Sequence, residues 1–266
     1  AYRRDFTVNG LFYDIKTFAV IDWVGGLKDL EKRLIRSIGD PMIRFREDPV
    51  RMMRAVKFAS RLDFAIERGT ERAIRKLHAC ILTAAVPRLC EEVFRLFPYG
   101  TGEKAFRMMY DFGLLGDLLP ELAAFIGSDG GAKSATWAYL AVLDRYERAM
   151  RARGVEVPNG LRAAVLFAAM ARANPGHARE IVGTMAAHLR VPKTTYFSAA
   201  MMLDSVRRFA QPPQKSRRRF VHNPEFPDML DFNRIVARAE GRDEKILDQW
   251  DALSRQVCKE QGKDHE

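Results

Sequence analysis

The first 25 residues carry the strand signals of this chain, and nearly everything after them is patterned for helices. Val8, Leu11 and Phe12 are apolar with polar residues between them, roughly the rhythm of a half-buried strand that needs a neighbour. No partner strand precedes it, which predicts a chain that has lost its beginning. Nor does the start read as a secretory signal, since no apolar core follows a basic beginning and no small-residue cleavage site is present. Further on, turn chemistry marks the joints. GSDGGAKS at 127–134 and RGVEVPNG at 153–160 break helices, and QPPQKSRRR at 211–219 joins helix-stopping prolines to a dense basic run. The longest apolar stretch, AAVLFAAMA at 163–171, is about half of the roughly 20 residues that span a bilayer, so it predicts a buried helix and no membrane partner. No internal repeat of 20 to 50 residues suggests a solenoid.

One helix start is clear. In REDPVRMMRAVKFASRL, Asp48 is placed to act as N-cap and Pro49 to occupy the first helical position, with the helix running to about Leu62. Arg51, Arg54, Lys57 and Arg61 recur at spacings of 3, 3 and 4 and share a face, while Val50, Met53, Val56 and Phe58 supply apolar faces beside it. Two readings fit this ridge. In one, Asp48 only caps, pairs with Arg51 at i,i+3, and the basic stripe is solvated. In the other, the helix dipole and the arginines attract phosphates, and Asp48 beside Arg51 presents an acceptor next to a donor.

Charge sharpens the second reading. The 266 residues carry a formal charge of +10, and a pI of about 9.7 favours a polyanionic partner. A generally basic soluble protein is the plain alternative. Cys80, Cys90 and Cys258 are odd in number and lack zinc-ligand spacing, which speaks against a disulfide scaffold or structural zinc and favours a reducing cytoplasm. The five histidines form no HxH or HExxH arrangement, so no metal site is expected within the chain.

Three segments together carry a resemblance. RRDFTVNGLFYD, IDWVGGLKDLEKRLIRSIGDP and RFREDPVRMMRAVKFASRLDFAI are similar, in order and spacing, to consecutive motifs of the class II nucleotidyltransferases, the family of bacterial poly(A) polymerases and CCA-adding tRNA enzymes. The resemblance covers roughly residues 3–70. It implies a mainly α fold: a short β remnant of a nucleotidyltransferase head, then a helical neck and body. The boundaries expected are 1–46 for head remnant and hinge, 47–127 for the neck, 128–210 for the body and 211–266 for a basic RNA-binding segment. The family transfers a nucleotide from its triphosphate to an RNA 3′-hydroxyl, using Mg²⁺ held by paired carboxylates behind a Gly-Ser loop. Neither element is in the chain, which implies that Mg²⁺ belongs to missing sequence and that this chain alone is inactive.

Residue roles follow from the matched motifs. Arg3, Arg4, Asp5 and Asn9 match RRDxxxN, implying contact with the ribose and phosphates of the incoming nucleotide. Asp22, Gly25, Gly26, Asp29 and Leu30 match a D-x-x-G-G-x-x-D-L element, implying a hinge, with an ordinary turn as the alternative. Glu47, Asp48 and Arg51 match EDxxR, in which the aspartate and arginine read the base, and Arg54 joins the nucleotide set. A carboxylate only accepts and a guanidinium only donates, so the pair suits the edges of adenine and cytosine. Lys57 and Arg61, with Lys215, Arg217, Arg218 and Arg219, are the expected RNA contacts. GLFYDIKTFAVIDWVGGLKDL and KSRRRFVHNPEFPDMLDF resemble the bacterial poly(A) polymerases more than the tRNA enzymes, which implies AMP addition from ATP to RNA 3′ ends, with CCA addition as the alternative. A non-catalytic helical RNA-binding module is the alternative of a different class. Partners among RNA-decay proteins are compatible with this reading, though no residue names one.

Overall fold

The computed structural model describes residues 1–128, 132–213 and 218–263. It is 69% helix and 6% strand, so the fold is mainly α, as the periodicity predicts. The chain divides into two compact units, Ala1–Ala124 with His188–Arg190, and Phe125–Ala187 with Val191–Glu266.

Unit 1 opens with a hairpin, β1 (Leu11–Asp14) antiparallel to β2 (Ala19–Asp22), with Leu11 opposite Asp22 and Asp14 opposite Ala19. The neighbour of the strand is its own continuation, and the turn is fixed by Asp14, whose carboxylate accepts from the Lys16 amide at 2.8 Å and the Thr17 hydroxyl at 2.7 Å. Val8 lies in a one-turn 3-10 helix, Thr7–Asn9, rather than in a strand.

There follow α1 (Gly26–Glu31), β3 (Leu34–Ile35), α2 (Pro41–Glu47) and α3 (Val50–Leu62). Then β4 (Ala65–Ile66), parallel to β3, leads to α4 (Arg68–Leu77). Next come α5 (Val86–Phe94), α6 (Gly102–Asp111), α7 (Leu114–Leu118) and the start of α8 (Pro120–Gly127). α3 packs against α2, α5 and α6 and buries Val50, Met53 and Val56 to 1% exposure or less. Each such side chain contributes about 1.5–3 kcal/mol of burial, which fixes the roll of the helix and so the direction of its arginines.

The end of α3 at Leu62 agrees with the sequence reading, but its start does not. The proline-led cap lies one helix earlier: Asp40 accepts from the Met42 amide at 2.8 Å, with Pro41 at the first position of α2. α2 therefore runs through the joint expected at 46/47. The Asp48 carbonyl accepts the Arg51 amide at 3.1 Å, but its side chain makes no capping bond, because a distant arginine takes it instead.

Unit 2 contains the end of α8, then α9 (Ala132–Ala152), α10 (Asn159–Ala173), α11 (Ala178–Leu189) up to Ala187, α12 (Lys193–Phe209), α13 (Arg218–Val221), α14 (Phe226–Ala239) and α15 (Lys245–Lys263). α10 is the apolar helix the sequence predicts. Every residue from Gly160 to Ala169 is buried, and the helix packs against α9, α12 and α14. No described helix is long and apolar enough to cross a membrane.

Candidate functional site

A cavity of about 480 Å³ in unit 1 is lined by Arg3, Arg4, Asp5, Asn9, Asp48, Arg51, Arg54, Phe58 and Arg88. Three stretches of chain supply these side chains: the segment before β1, the α2–α3 junction with α3, and the first turn of α5. Five guanidiniums face two carboxylates, leaving a formal excess of three positive charges in one concave place.

Asp5 organises the floor. It is 8% exposed; one oxygen accepts from the Phe6 amide at 2.9 Å and from Asn9 at 3.0 Å, while the other takes Arg54 Nε at 2.7 Å and Nη2 at 2.6 Å. A carboxylate offers about four acceptor positions, and all are filled. Burial alone raises the Asp5 pKa, but the bonds from Asn9 and Arg54 outweigh it and hold the carboxyl below its ordinary value. In this geometry Asp5 therefore does not reach for ribose hydroxyls, as the motif implies, but orients Asn9 and Arg54. The segment is set by a buried Phe6, edge-on to Phe58 at 6.0 Å, and by the Ile38 amide donating to the Asp5 carbonyl at 3.0 Å.

Arg3 and Arg4 are exposed, and their guanidiniums have no hydrogen bond or ion pair among the described residues. Their carbonyls accept Arg44 Nη2 at 3.4 and 3.0 Å, which ties this backbone to α2. Arg51 is also loosely held. Its nearest acceptors, the Arg44 carbonyl at 3.5 Å and Glu47 at 3.6 Å, are long for hydrogen bonds, so most of its donors are available. Burial, and then the charge of Arg44, pull its pKa below the usual guanidinium value.

Asp48 does not pair with Arg51. Oδ2 accepts from Arg88 Nη2 at 3.0 Å, and Oδ1 is shielded from solvent with no partner among the described residues. An unsatisfied buried acceptor costs roughly 1–3 kcal/mol. Glu47 does not line the cavity; it bonds Arg44 at 2.7 Å and sits beside Arg51.

The basic ridge of α3 is broken. Lys57 is 6% exposed and bonds Glu92 of α5 at 2.6 Å, a correction to its expected role as an RNA contact. Burial lowers the Lys57 pKa even though Glu92 opposes the shift. Arg61 stays near the surface, its guanidinium 4.0 Å from the centre of the Tyr99 ring. Lys215 and Arg217 lie outside the described residues, as do the side chains of Arg218 and Arg219.

The D-x-x-G-G-x-x-D-L element is tightly bonded. Asp22 accepts from the amides of Val24, Gly26 and Leu27, and Gly25 has a φ of 78°. A Cβ on Gly26 would lie 2.3 Å from the Thr7 carbonyl oxygen, so only glycine permits this approach. Asp29 is buried and accepts from Thr7 at 2.7 Å and Arg36 at 2.9 Å. Leu30 is 44% exposed. The element clamps α1 to the segment that bears Arg3, Arg4 and Asp5.

The sequence reading missed Arg88. One signal was present: a cation in the first turn of a helix opposes the helix dipole, which calls for another reason to be there.

Residues 1–36 match the family model described as the poly A polymerase head domain, and residues 63–126 the one described as "Probable RNA and SrmB- binding site of polymerase A". Poly(A) polymerase I of Escherichia coli is 36% identical over 173 residues, 64% of this chain and 35% of that protein. The CCA-adding enzyme of Lactobacillus johnsonii is 44% identical over 112 residues, 42% of this chain and 28% of that enzyme. The chain thus matches about a third of the length of these relatives. Among solved structures, the CCA-adding enzyme of Bacillus stearothermophilus in complex with CTP superposes with a TM-score of 0.69 at 25% identity, covering 96% of this chain and 57% of that one. Head-domain and RNA-binding-region matches on either side of the cavity's α3, with relatives of both kinds, make the chain similar in sequence to bacterial poly(A) polymerases and CCA-adding enzymes and similar in fold to the CCA-adding enzymes.

Proposed function

We propose that the protein carrying this chain is a template-independent RNA nucleotidyltransferase that adds AMP from ATP to RNA 3′ ends. The observation that supports this most is the cavity itself, in which Arg3 and Arg4, without partners among the described residues, line the same space as Asp48 and Arg51. In the proposal Arg3 and Arg4 hold the triphosphate, with Arg54 and Asn9 fixed by Asp5 beside them. Asp48 accepts from the exocyclic amine of the base and Arg51 donates to the adjacent ring nitrogen, so protein side chains do the work of a template.

Adenine and cytosine both show that edge. AMP addition is favoured by the longer match to poly(A) polymerase I, 173 residues against 112 for the CCA-adding enzyme. The CCA reading draws on the higher identity of the shorter match and on the CTP-bound neighbour. Arg61 on Tyr99 and the basic run at 215–219 are the proposed RNA contacts, and a cytoplasmic setting is part of the same proposal.

Among the described residues no group of three or more His, Cys, Asp or Glu is placed to hold a metal, and Asp5 and Asp48 are both bonded to arginines. The test is to incubate the full-length protein with a short RNA, Mg²⁺ and each nucleotide separately, then sequence the products. Homopolymeric A supports the proposal, C-C-A replaces it with the tRNA activity, and no extension leaves an RNA-binding module.

A further inference from the structure

A second concavity lies wholly within unit 2. It holds about 440 Å³ between α10, α12 and α14, helices that pack on one another, and the loop after α10 closes one side through Pro175 and Gly176. Its floor reaches the core, since Ala168, Phe232 and Val236 line it at 1% exposure or less. Its mouth is charged, with Arg172 from the end of α10 and Asp204 and Arg207 from α12, all three exposed.

These charges are not closed onto one another. Arg172 is held from one side only, its Nε 2.8 Å from Glu240. Asp204 and Arg207 have no hydrogen bond or ion pair among the described residues, with each other or with any third group. They stand three positions apart on α12 and so share a face. An ionised carboxylate only accepts and a guanidinium only donates, so the two offer an acceptor beside a donor above an apolar floor.

A hydrocarbon would fill that floor but strip water from the charged mouth with nothing in return. A simple anion would meet the Asp204 carboxylate. A purine base answers both parts: its faces are apolar, and its edge carries N–H groups for the carboxylate and a ring nitrogen or carbonyl for the guanidinium. Uracil shows one N–H between two carbonyls and matches less well. The volume also falls in the range of small-molecule sites, roughly 300–1,000 Å³.

We propose that this cavity is a second nucleotide site, which takes a purine base onto its apolar floor with the base edge at Asp204 and Arg207 and the phosphate at Arg172. The base comes either from a free mononucleotide or from an unpaired residue of RNA, the same chemistry from two sources. The proposal does not depend on the base-reading role given to Asp48 and Arg51, because the two cavities share no residue.

The experiment measures equilibrium binding of AMP, GMP, UMP, oligo(A) and oligo(U) to the full-length protein. Wild type is compared with Asp204→Ala, Arg207→Met and Ala171→Trp, the last of which fills the cavity from a half-buried wall. Binding in the cavity of unit 1 is common to all of these proteins, so the difference from wild type reports unit 2. Each variant is expected to weaken purine probes by on the order of tenfold and UMP and oligo(U) by much less. A loss for AMP and GMP assigns the site to free nucleotides, and a loss confined to oligo(A) assigns it to RNA; either supports the proposal. Unchanged purine binding in Asp204→Ala and Arg207→Met, whose exposed positions leave the core intact, overturns it. An equal loss for oligo(A) and oligo(U) overturns it as well, because that result reports charge alone.

Discussion

The cavity of unit 1 and the core of unit 2 use charge in opposite ways. In unit 2, buried charges are closed onto one another. Arg162 meets Glu147 at 2.7 Å with side chains 6% and 5% exposed, and Tyr146 donates to Asp231 at 2.6 Å. Burial and then the Asp231 carboxylate push the Tyr146 hydroxyl well above its usual range. In the cavity of unit 1, among the described residues, Arg3 and Arg4 have no hydrogen-bond or ion-pair partner, Arg51 has only long ones, and one oxygen of Asp48 is unsatisfied. Closed pairs hold a fold together, whereas open donors and acceptors gathered in a concavity are chemistry awaiting a ligand.

The sharpest break of this contrast is Glu147→Ala. It strands the Arg162 guanidinium in a helix packed on three others and is expected to cost about 3–5 kcal/mol in urea unfolding, with base selectivity untouched in whatever remains folded. Replacing both partners by apolar residues of similar volume should recover most of that loss. A selective effect on nucleotide choice from either variant would erase the distinction between the units.

Asp5 lies between the two cases, being a closed group that serves an open site. Asp5→Ala leaves Arg54 and Asn9 without their acceptor and is expected to cost roughly 1.5–3 kcal/mol of stability and to raise the KM for ATP. Its folded pKa lies below the ordinary aspartate value of about 3.9, so its contribution is complete above that value and is lost as pH falls through the lower folded value. Acid unfolding of wild type should therefore steepen below about pH 4, and Asp5→Asn should lack that part of the decline.

The smallest effect belongs to the basic run. RNA affinity of the chain should fall with salt, and replacing Lys215, Arg217, Arg218 and Arg219 by Ala should reduce the slope of log K against log salt by up to about 3, at roughly 0.7 per phosphate contact. An unchanged slope returns the run to a solvated segment.

Local rules carried much of this fold and failed where distant residues decide. The buried α10 follows from a local apolar run, and the end of α3 at Leu62 from a local pattern. The Asp-Pro signal was read one helix late, because Asp40–Pro41 and Asp48–Pro49 look alike and only the first aspartate caps. What redirects Asp48 is Arg88, 40 positions away, and what buries Lys57 is Glu92, 35 away. Neither partner shares an element with its mate, so no helical spacing could announce them. The cavity members other than Phe58 and Arg88 were legible through motif order, which records spatial convergence that periodicity does not.

The central claim is that Asp48 and Arg51 read the base, and nucleotide selectivity of the full-length protein tests it most directly. With ATP, CTP, GTP and UTP supplied one at a time, Arg51→Ala and Asp48→Asn should each lose about 1–3 kcal/mol of discrimination for ATP over UTP and GTP, with unfolding midpoints near wild type because neither side chain caps a helix. If both variants keep wild-type ATP selectivity, the pair does not read the base, and the arginines of the cavity serve phosphate alone.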